Sequence, residues 1–271
     1  MKSKSLFESL IEKMWPPGLE ELAKHVPSMN RLSGKLGWFL FMVFCIFLST
    51  FIVNKLDQIN PYWCYYTQAV LVLWSFLLVD VIGHWCRPQL QKIFGDRAYS
   101  VAFCCLFLPG LYLGFAPSYV HIGTVQGVRV LANLPCIIIS NAFMIAGLLL
   151  FLQVHLKLGV ARQYYMYQYY PDESTITQDA IYNYVRHPLY AGLIYLLIGV
   201  VLASGTIQGF FMGLMILPYF LGRIIPEEKD LVRRLGQEYI DYRKRVPALL
   251  PRLSEWPGFL GCLIDMKRRN T

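Results

Sequence analysis

The chain is predicted to be an all-α integral membrane protein of about six transmembrane helices, including a short C-terminal helical hairpin, followed by amphipathic cytosolic helices. Three observations carry this expectation. Of 271 residues, 56% are hydrophobic and only 15% charged, too apolar a balance for an ordinary soluble domain. The apolar residues gather into six long runs, Leu36–Val53, Tyr65–Gly83, Tyr99–Ala116, Leu134–Val154, Leu189–Ser204 and Gln208–Gly222, as membrane helices require. All 25 Lys and Arg fall outside those runs.

The placement of the cations sets an orientation. The segments before Leu36, 84–98, 155–188 and after Gly222 hold 6, 3, 3 and 11 of them, whereas 54–64, 117–133 and 205–207 hold 1, 1 and 0. Alternate loops carry the charge, so both termini and the two basic loops are expected in the cytosol. The net charge of +8 is explained by that rule, and a nucleic-acid partner is not expected. The partners expected are membrane lipids. No cleavable leader is expected, because the first apolar run follows a long charged segment. Seven scattered cysteines do not form a disulfide framework. His84-x-Cys86 lacks a second ligand pair, so no metal is expected.

In chain order, residues 1–35 form a cytosolic or interfacial lead. Phe7, Leu10, Ile11 and Met14 make one apolar stripe that Pro16-Pro17 ends, suited to the membrane surface or to packing on the body. Residues 36–154 supply four spans. Asp80 lies inside the second, near its cytosolic end. An acid there needs a partner, and His84 and Arg87 are the near candidates, with ligand contact as the alternative. Pro109-Gly110 is expected to kink the third span. His155 and Lys157 end the fourth as anchors.

Residues 155–252 are the region where chemistry is expected. The loop 155–188 is tyrosine-rich and too long to be featureless; its aromatics suit either an interfacial belt or a stacking surface. The last two runs have 16 and 15 residues and are joined by Gly205-Thr206-Ile207. Sixteen residues reach only ~24 Å, less than the ~30 Å of a bilayer core, so they read as a tight hairpin of nearly equal arms. Equal antiparallel arms place Arg186 and His187 at one open end level with Arg223, Glu227 and Glu228 at the other. Pro188 suits a first helical turn and leaves exposed N–H groups for an anion. Arg186 offers a bidentate carboxylate grip. The two acids offer sites for ammonium, sulfonium or ribose hydroxyls. A ligand with both a carboxylate and cationic groups fits such an edge, and S-adenosyl-L-methionine is one. Beyond Gly222, Leu231, Leu235, Tyr239, Tyr242 and Val246 form a stripe that Gly236 divides into two short helices, with the cytosolic helix ends as its expected partner. Residues 253–271 read as a basic cytosolic tail.

Three segments now carry a resemblance. Tyr182-x-x-Val185-Arg186-His187-Pro188-Leu189-Tyr190-x-Gly192, then Arg223-Ile-Ile-Pro226-Glu227-Glu228, then Leu235-Gly236-Gln-Glu238-Tyr239-x-x-Tyr242-x-x-Arg245-Val246-Pro247, stand in this order over about residues 175–252. They resemble the Arg-His-Pro-x-Tyr, Glu-Glu and closing motifs of membrane isoprenylcysteine carboxyl methyltransferases. The resemblance implies an S-adenosylmethionine-dependent methyltransferase acting on the C-terminal carboxylate of a prenylated protein or a small lipidic substrate. It implies that His187, Tyr190 and Glu228 contact cofactor, with Tyr182, Pro188 and Glu227 lining the same edge. Arg162 and Gln163, which follow the end of the fourth run at that edge, are expected to reach it. Arg186 would hold a carboxylate, and Arg223 would orient that of the substrate. No general base is needed, since a carboxylate is ionised at pH 7; positioning and desolvation would supply the rate. The alternatives are methylation of another amphiphile, such as a phospholipid amine or small thiol, or a sterol-reductase-like enzyme using a nicotinamide cofactor. The compartment expected is the endoplasmic reticulum for a eukaryotic chain and the inner membrane for a bacterial one.

Overall fold

The computed structural model describes residues 19–60, 63–107, 109–110, 133–158, 165–173 and 180–265. All regular structure among them is helical: α1 Leu19–His25, α2 Leu32–Ile59, α3 Trp63–Asp80, α4 Arg87–Phe94, α5 Ala98–Ala102, α6 Leu134–Leu158, α7 Met166–Tyr169, α8 Pro188–Ser204, α9 Ile207–Leu235, α10 Gln237–Arg245 and α11 Trp256–Ile264. The stripe Phe7–Met14, Arg162, Gln163 and the end of the chain after Asp265 lie outside the described residues.

Three helices, α2, α6 and α9, are long and apolar enough to cross a membrane. Their outer surfaces expose Phe39, Phe44 and Phe47 on α2 and Ile137 and Ile138 on α6, a helix hydrophobic on its outward side being suited to lipid rather than water. A fourth crossing arises if a bent pair is one span: Ala69–Trp85 and Arg87–Phe107 meet at 60°. The sequence suggested six spans. Among the described residues three or four are supported by length and composition: the bent pair joins the second run to the described part of the third, and α8 has only 17 residues. The bend sits at a π turn, Val81–Trp85, that ends at Cys86, with Pro88 starting the next helix; π turns and prolines are recognised causes of kinks. Gly110, part of the kink expected from sequence, is the last described residue of that stretch.

The central core is α8 laid along α6, joined by Ala69 and Val72 of α3, Met212, Ile216 and Phe220 of α9, and Phe259 and Leu263 of α11. Small residues permit the close approach. A Cβ on Gly147 would stand 2.7 Å from the Gly192 carbonyl oxygen, and one on Gly199 would stand 2.9 Å from that of Ser140. A second core joins Leu22 and Val26 of the N-terminal segment to Tyr99, Phe103, Phe107, Met166 and Tyr169. Residues 19–30 therefore pack on the body.

Two further features depart from the sequence reading. The second arm of the expected hairpin does not stop at Gly222: α9 continues unbroken to Leu235, with Pro218 and Pro226 inside it. Each proline removes one backbone donor, and the rest of the helix carries across. Gly236, at φ +61, is the break. Residues 256–264, read as part of a tail, form α11. Gln153 of α6 donates to the carbonyls of Cys262, Leu263 and Asp265 at 2.8, 3.2 and 2.9 Å, which satisfies acceptors a helix C-terminus leaves open.

Candidate active site

The site is built by returning the chain on itself. Gly205 ends α8 in the left-handed region at φ +58, the usual place for glycine. The Thr206 hydroxyl accepts from the Gly209 N–H at 3.1 Å and starts α9. Gly213 then passes Val201 so closely that a Cβ would meet its Cγ2 at 2.8 Å. Running back along α8, the longer α9 delivers Arg223, Glu227 and Glu228 to the level of Arg186, His187 and Tyr190.

The first cluster centres on Glu228. Its Oε1 accepts from Arg186 Nε at 3.0 Å and Nη2 at 2.6 Å, and lies 3.2 Å from His187 Nε2. The pair is largely buried, with side chains 11% and 13% exposed. Arg186 Nη1 donates to the carbonyls of Arg243, at 3.0 Å, and Val246. The backbone N–H groups of Arg186 and His187 donate to Pro247 and Ala248 at 2.9 and 3.0 Å. Tyr242 donates to the Tyr182 carbonyl at 2.7 Å. The segment 180–187 is thus strapped to α10 and its exit, which identifies the partner of the C-terminal stripe. That stripe also packs on itself, Tyr239, Tyr242 and Val246 folding against Leu231, Val232 and Leu235. Burial raises the phenols of Tyr239 and Tyr242 above their ordinary values, so both stay protonated as donors. The Tyr239 hydroxyl is buried beside Glu228, Arg186 and Glu227.

The second cluster centres on Asp80. Its Oδ2 lies 2.6 Å from Arg223 Nε and accepts from Tyr219 at 2.5 Å, while Oδ1 accepts from Tyr165. Arg223 Nη2 also donates to the Tyr165 hydroxyl at 2.9 Å. Asp80 therefore pairs with Arg223 and two phenols. The local partners expected for it, His84 and Arg87, are turned elsewhere: His84 meets the Tyr165 ring edge-on, and Arg87 donates to the Gln168 carbonyl.

Between the clusters stand Glu227 and Tyr190. Glu227 Oε1 is 3.9 Å from His187 Nδ1, and its side chain is 33% exposed, more than that of Glu228. Tyr190 lies against Glu227 and within the field of Tyr165 and Arg223, its ring 5.9 Å from that of His187. Pro188 opens α8, and His187 at its N-cap makes no side-chain cap bond. Arg186, His187, Pro188, Tyr190, Arg223, Glu227 and Glu228 are thus brought together. Tyr182 sits beneath them, buried in the central core. Asp80 as partner of Arg223, and Tyr165, Tyr219, Tyr239 and Arg243 beside the clusters, were not read from sequence as site residues. The one signal available was that an acid inside a membrane run demands a counter-charge. Among the described residues no three His, Cys, Asp or Glu side chains converge as metal ligands.

Residues 135–238 match the family model described as phospholipid methyltransferase. The chain is 38% identical over 81 residues to the protein-S-isoprenylcysteine O-methyltransferase of Mus musculus, covering 30% of this chain and 29% of that protein. It is 37% identical over 81 residues to the human protein of the same name, covering 30% and 28%. It is 37% identical over 105 residues to the methanethiol S-methyltransferase of Crocosphaera subtropica, covering 37% and 40%. The matches therefore span less than half of each of these relatives. No solved structure matches.

Proposed function

We propose, from the match of residues 135–238 to the phospholipid methyltransferase model and the similarity to isoprenylcysteine enzymes, that this chain is an S-adenosylmethionine-dependent methyltransferase acting on the carboxylate of a C-terminal prenylcysteine at the cytosolic membrane face. The observation that carries this reading is the meeting of Arg186, His187, Glu227 and Glu228 beside Arg223 at one edge of the helices.

The donor set fits the cofactor. Glu227 is a partly exposed carboxylate available to an ammonium, a sulfonium or ribose hydroxyls. The uncapped first turn of α8 offers N–H groups to a carboxylate. The buried Tyr239 hydroxyl can donate to the same ligand. When bound, S-adenosylmethionine supplies an electrophilic methyl group on a sulfonium.

The chain's own residues then position the acceptor. The Nε–Nη2 edge of Arg223 is occupied by Asp80 and Tyr165, and among the described residues Nη1 has no partner. A substrate carboxylate takes that remaining side, ionised at pH 7 without a base. Arg186 is committed to Glu228 and to the carbonyls of Arg243 and Val246, so its role is to shape the cofactor edge through Glu228. That differs from the direct carboxylate grip its sequence position suggested.

The test is methyl transfer by the full chain in nanodiscs from labelled S-adenosylmethionine. Farnesylcysteine with a free carboxylate is compared with unprenylated cysteine, methanethiol and phosphatidylethanolamine. A base-labile ester on farnesylcysteine alone supports the reading. Label on the thiol moves the substrate toward the Crocosphaera relative. Label on the phospholipid amine moves it to another amphiphile. Absence of cofactor binding rejects it. The sterol-reductase alternative draws no support from these relatives.

A further inference from the structure

We infer that Asp80, on a helix outside the matched segment, is a positioning residue that aims Arg223 at the acceptor and balances part of its charge. This rests on the methyltransferase reading above. Asp80 takes the Nε of Arg223 at 2.6 Å and holds its own geometry through Tyr219 and Tyr165. Tyr165 also holds Arg223 Nη2 at 2.9 Å. The guanidinium plane is thereby fixed on one edge by a carboxylate and a phenol.

The surroundings are built to keep this arrangement. Tyr165 adopts a left-handed backbone at φ 59, a conformation that a non-glycine residue holds only when its surroundings over-determine it. Its ring occupies space that only glycine leaves: a Cβ on Gly83 would stand 2.7 Å from Tyr165 Cδ1. Phe107 stacks on the same ring at 5.5 Å, and His84 meets its edge at 5.2 Å. Both charges are mostly buried, at 12% and 15% exposure. A buried ion pair adds little net stability compared with well-packed apolar side chains, so stability alone does not account for a pair, two phenols and a strained backbone at one point. A guanidinium held rigid with one side free of partners among the described residues does account for them, because misplacement of a positioning group by about 1 Å can cost roughly 100-fold in rate.

Charge balance gives the inference its distinguishing consequence. In Asp80→Asn, Arg223 keeps its charge and loses its aim. The carboxylate acceptor then binds at least as well while reacting poorly. The experiment uses the full chain in nanodiscs, with rates expressed per bound S-adenosylmethionine so that misfolded protein is not counted. In Asp80→Asn, kcat per cofactor site is expected to fall about 100-fold, with the farnesylcysteine KM unchanged or lower and cofactor Kd unchanged. Asp80→Glu recovers part of kcat. Phenylglyoxal labelling of Arg223, read by mass spectrometry of its peptide, is faster in Asp80→Asn than in the parent chain.

An unchanged kcat per site, or a raised KM at full kcat, overturns the inference. So does an unchanged labelling rate, which needs no acceptor. A parent chain that binds cofactor and leaves farnesylcysteine unmethylated instead overturns the acceptor reading. The labelling rate then still decides whether Asp80 holds Arg223.

Discussion

Arg186 and Glu228 are 42 positions apart in the chain and 2.6 Å apart in space. One residue precedes the first helix of the returning pair, and the other lies in the polar end of the second. Their contact therefore measures how the two helices are set against each other. It is an unequal setting: α8 ends at Ser204 after 17 residues, whereas α9 runs for 29. The surplus of α9 beyond the level of Pro188 carries the acids and receives α10 against Arg186.

Glu228→Ala leaves the Arg186 guanidinium and His187 facing a lost anion. Breaking one side of a buried pair costs about 3 kcal/mol, so a drop in unfolding free energy of that order is expected. The double variant Arg186→Ala with Glu228→Ala is expected to recover part of it, because no lone charge stays buried. Denaturant titration in detergent checks this. A double variant as unstable as the sum of the singles refutes the coupling.

The contact between α6 and α8 depends on residues without side chains. Gly199→Val places atoms where Met144 N and the Ser140 carbonyl already stand, 2.9 Å from a Cβ. Overpacking of this kind costs about 1–3 kcal/mol, and part of it should appear as a lower thermal midpoint. Gly261→Val, at a position with nothing within 4 Å, is the control and is expected to lie well above it.

How much of this was legible in the sequence depends on range. Helix α6 was expected over Leu134–Val154 and extends to Leu158, and α8 was expected from Leu189 and begins at Pro188. Both are continuous apolar runs bounded by proline, glycine or charge, so local composition delimits them. The juxtaposition of Arg186 with Glu228 was legible because only three residues were thought to join the two runs. The partner of Asp80 was not. His84 and Arg87 lay within two turns and satisfied the rule that a membrane acid is paired, while Tyr219 is 139 residues away and Arg223 lies farther still. The 60° bend was also hidden, since a π turn has no strong residue signature. Nor was α11 visible: its nine residues are too few to read as a span, and its anchor is one glutamine inside an apolar run.

That glutamine gives a third prediction. Gln153→Ala removes the donor shared by three carbonyls of the last turn of α11. Leaving buried acceptors unsatisfied costs about 1–3 kcal/mol. The loss is local, because α11 can peel away while α6 and α8 stay packed. Amide exchange in residues 256–264 is expected to accelerate in Gln153→Ala, with exchange in α8 unaltered. Uniform acceleration across both helices counts against a local anchor.

The last prediction concerns Gly236. At φ +61 and ψ −135 it occupies backbone space open to glycine and closed to side-chain-bearing residues. It sets the direction in which α10 leaves α9, and α10 delivers the Arg243 and Val246 carbonyls to Arg186 and the Tyr242 hydroxyl to Tyr182. Gly236→Ala is expected to cost about 1–3 kcal/mol of backbone strain. If α10 relieves that strain by turning away, Arg186 loses two acceptors and the Glu228 edge loosens, so under the proposed function affinity for S-adenosylmethionine is expected to fall. Gly222→Ala supplies the opposite sign. That glycine is inside α9 with nothing within 4 Å, and alanine there is expected to stabilise by about 0.5–1 kcal/mol. Thermal unfolding and cofactor titration of the two variants together separate the effects. A Gly236→Ala chain that is destabilised yet binds cofactor normally would show that α10 is fixed to Arg186 independently of the turn. Loss of both properties would identify Gly236 as the hinge on which the cofactor edge depends.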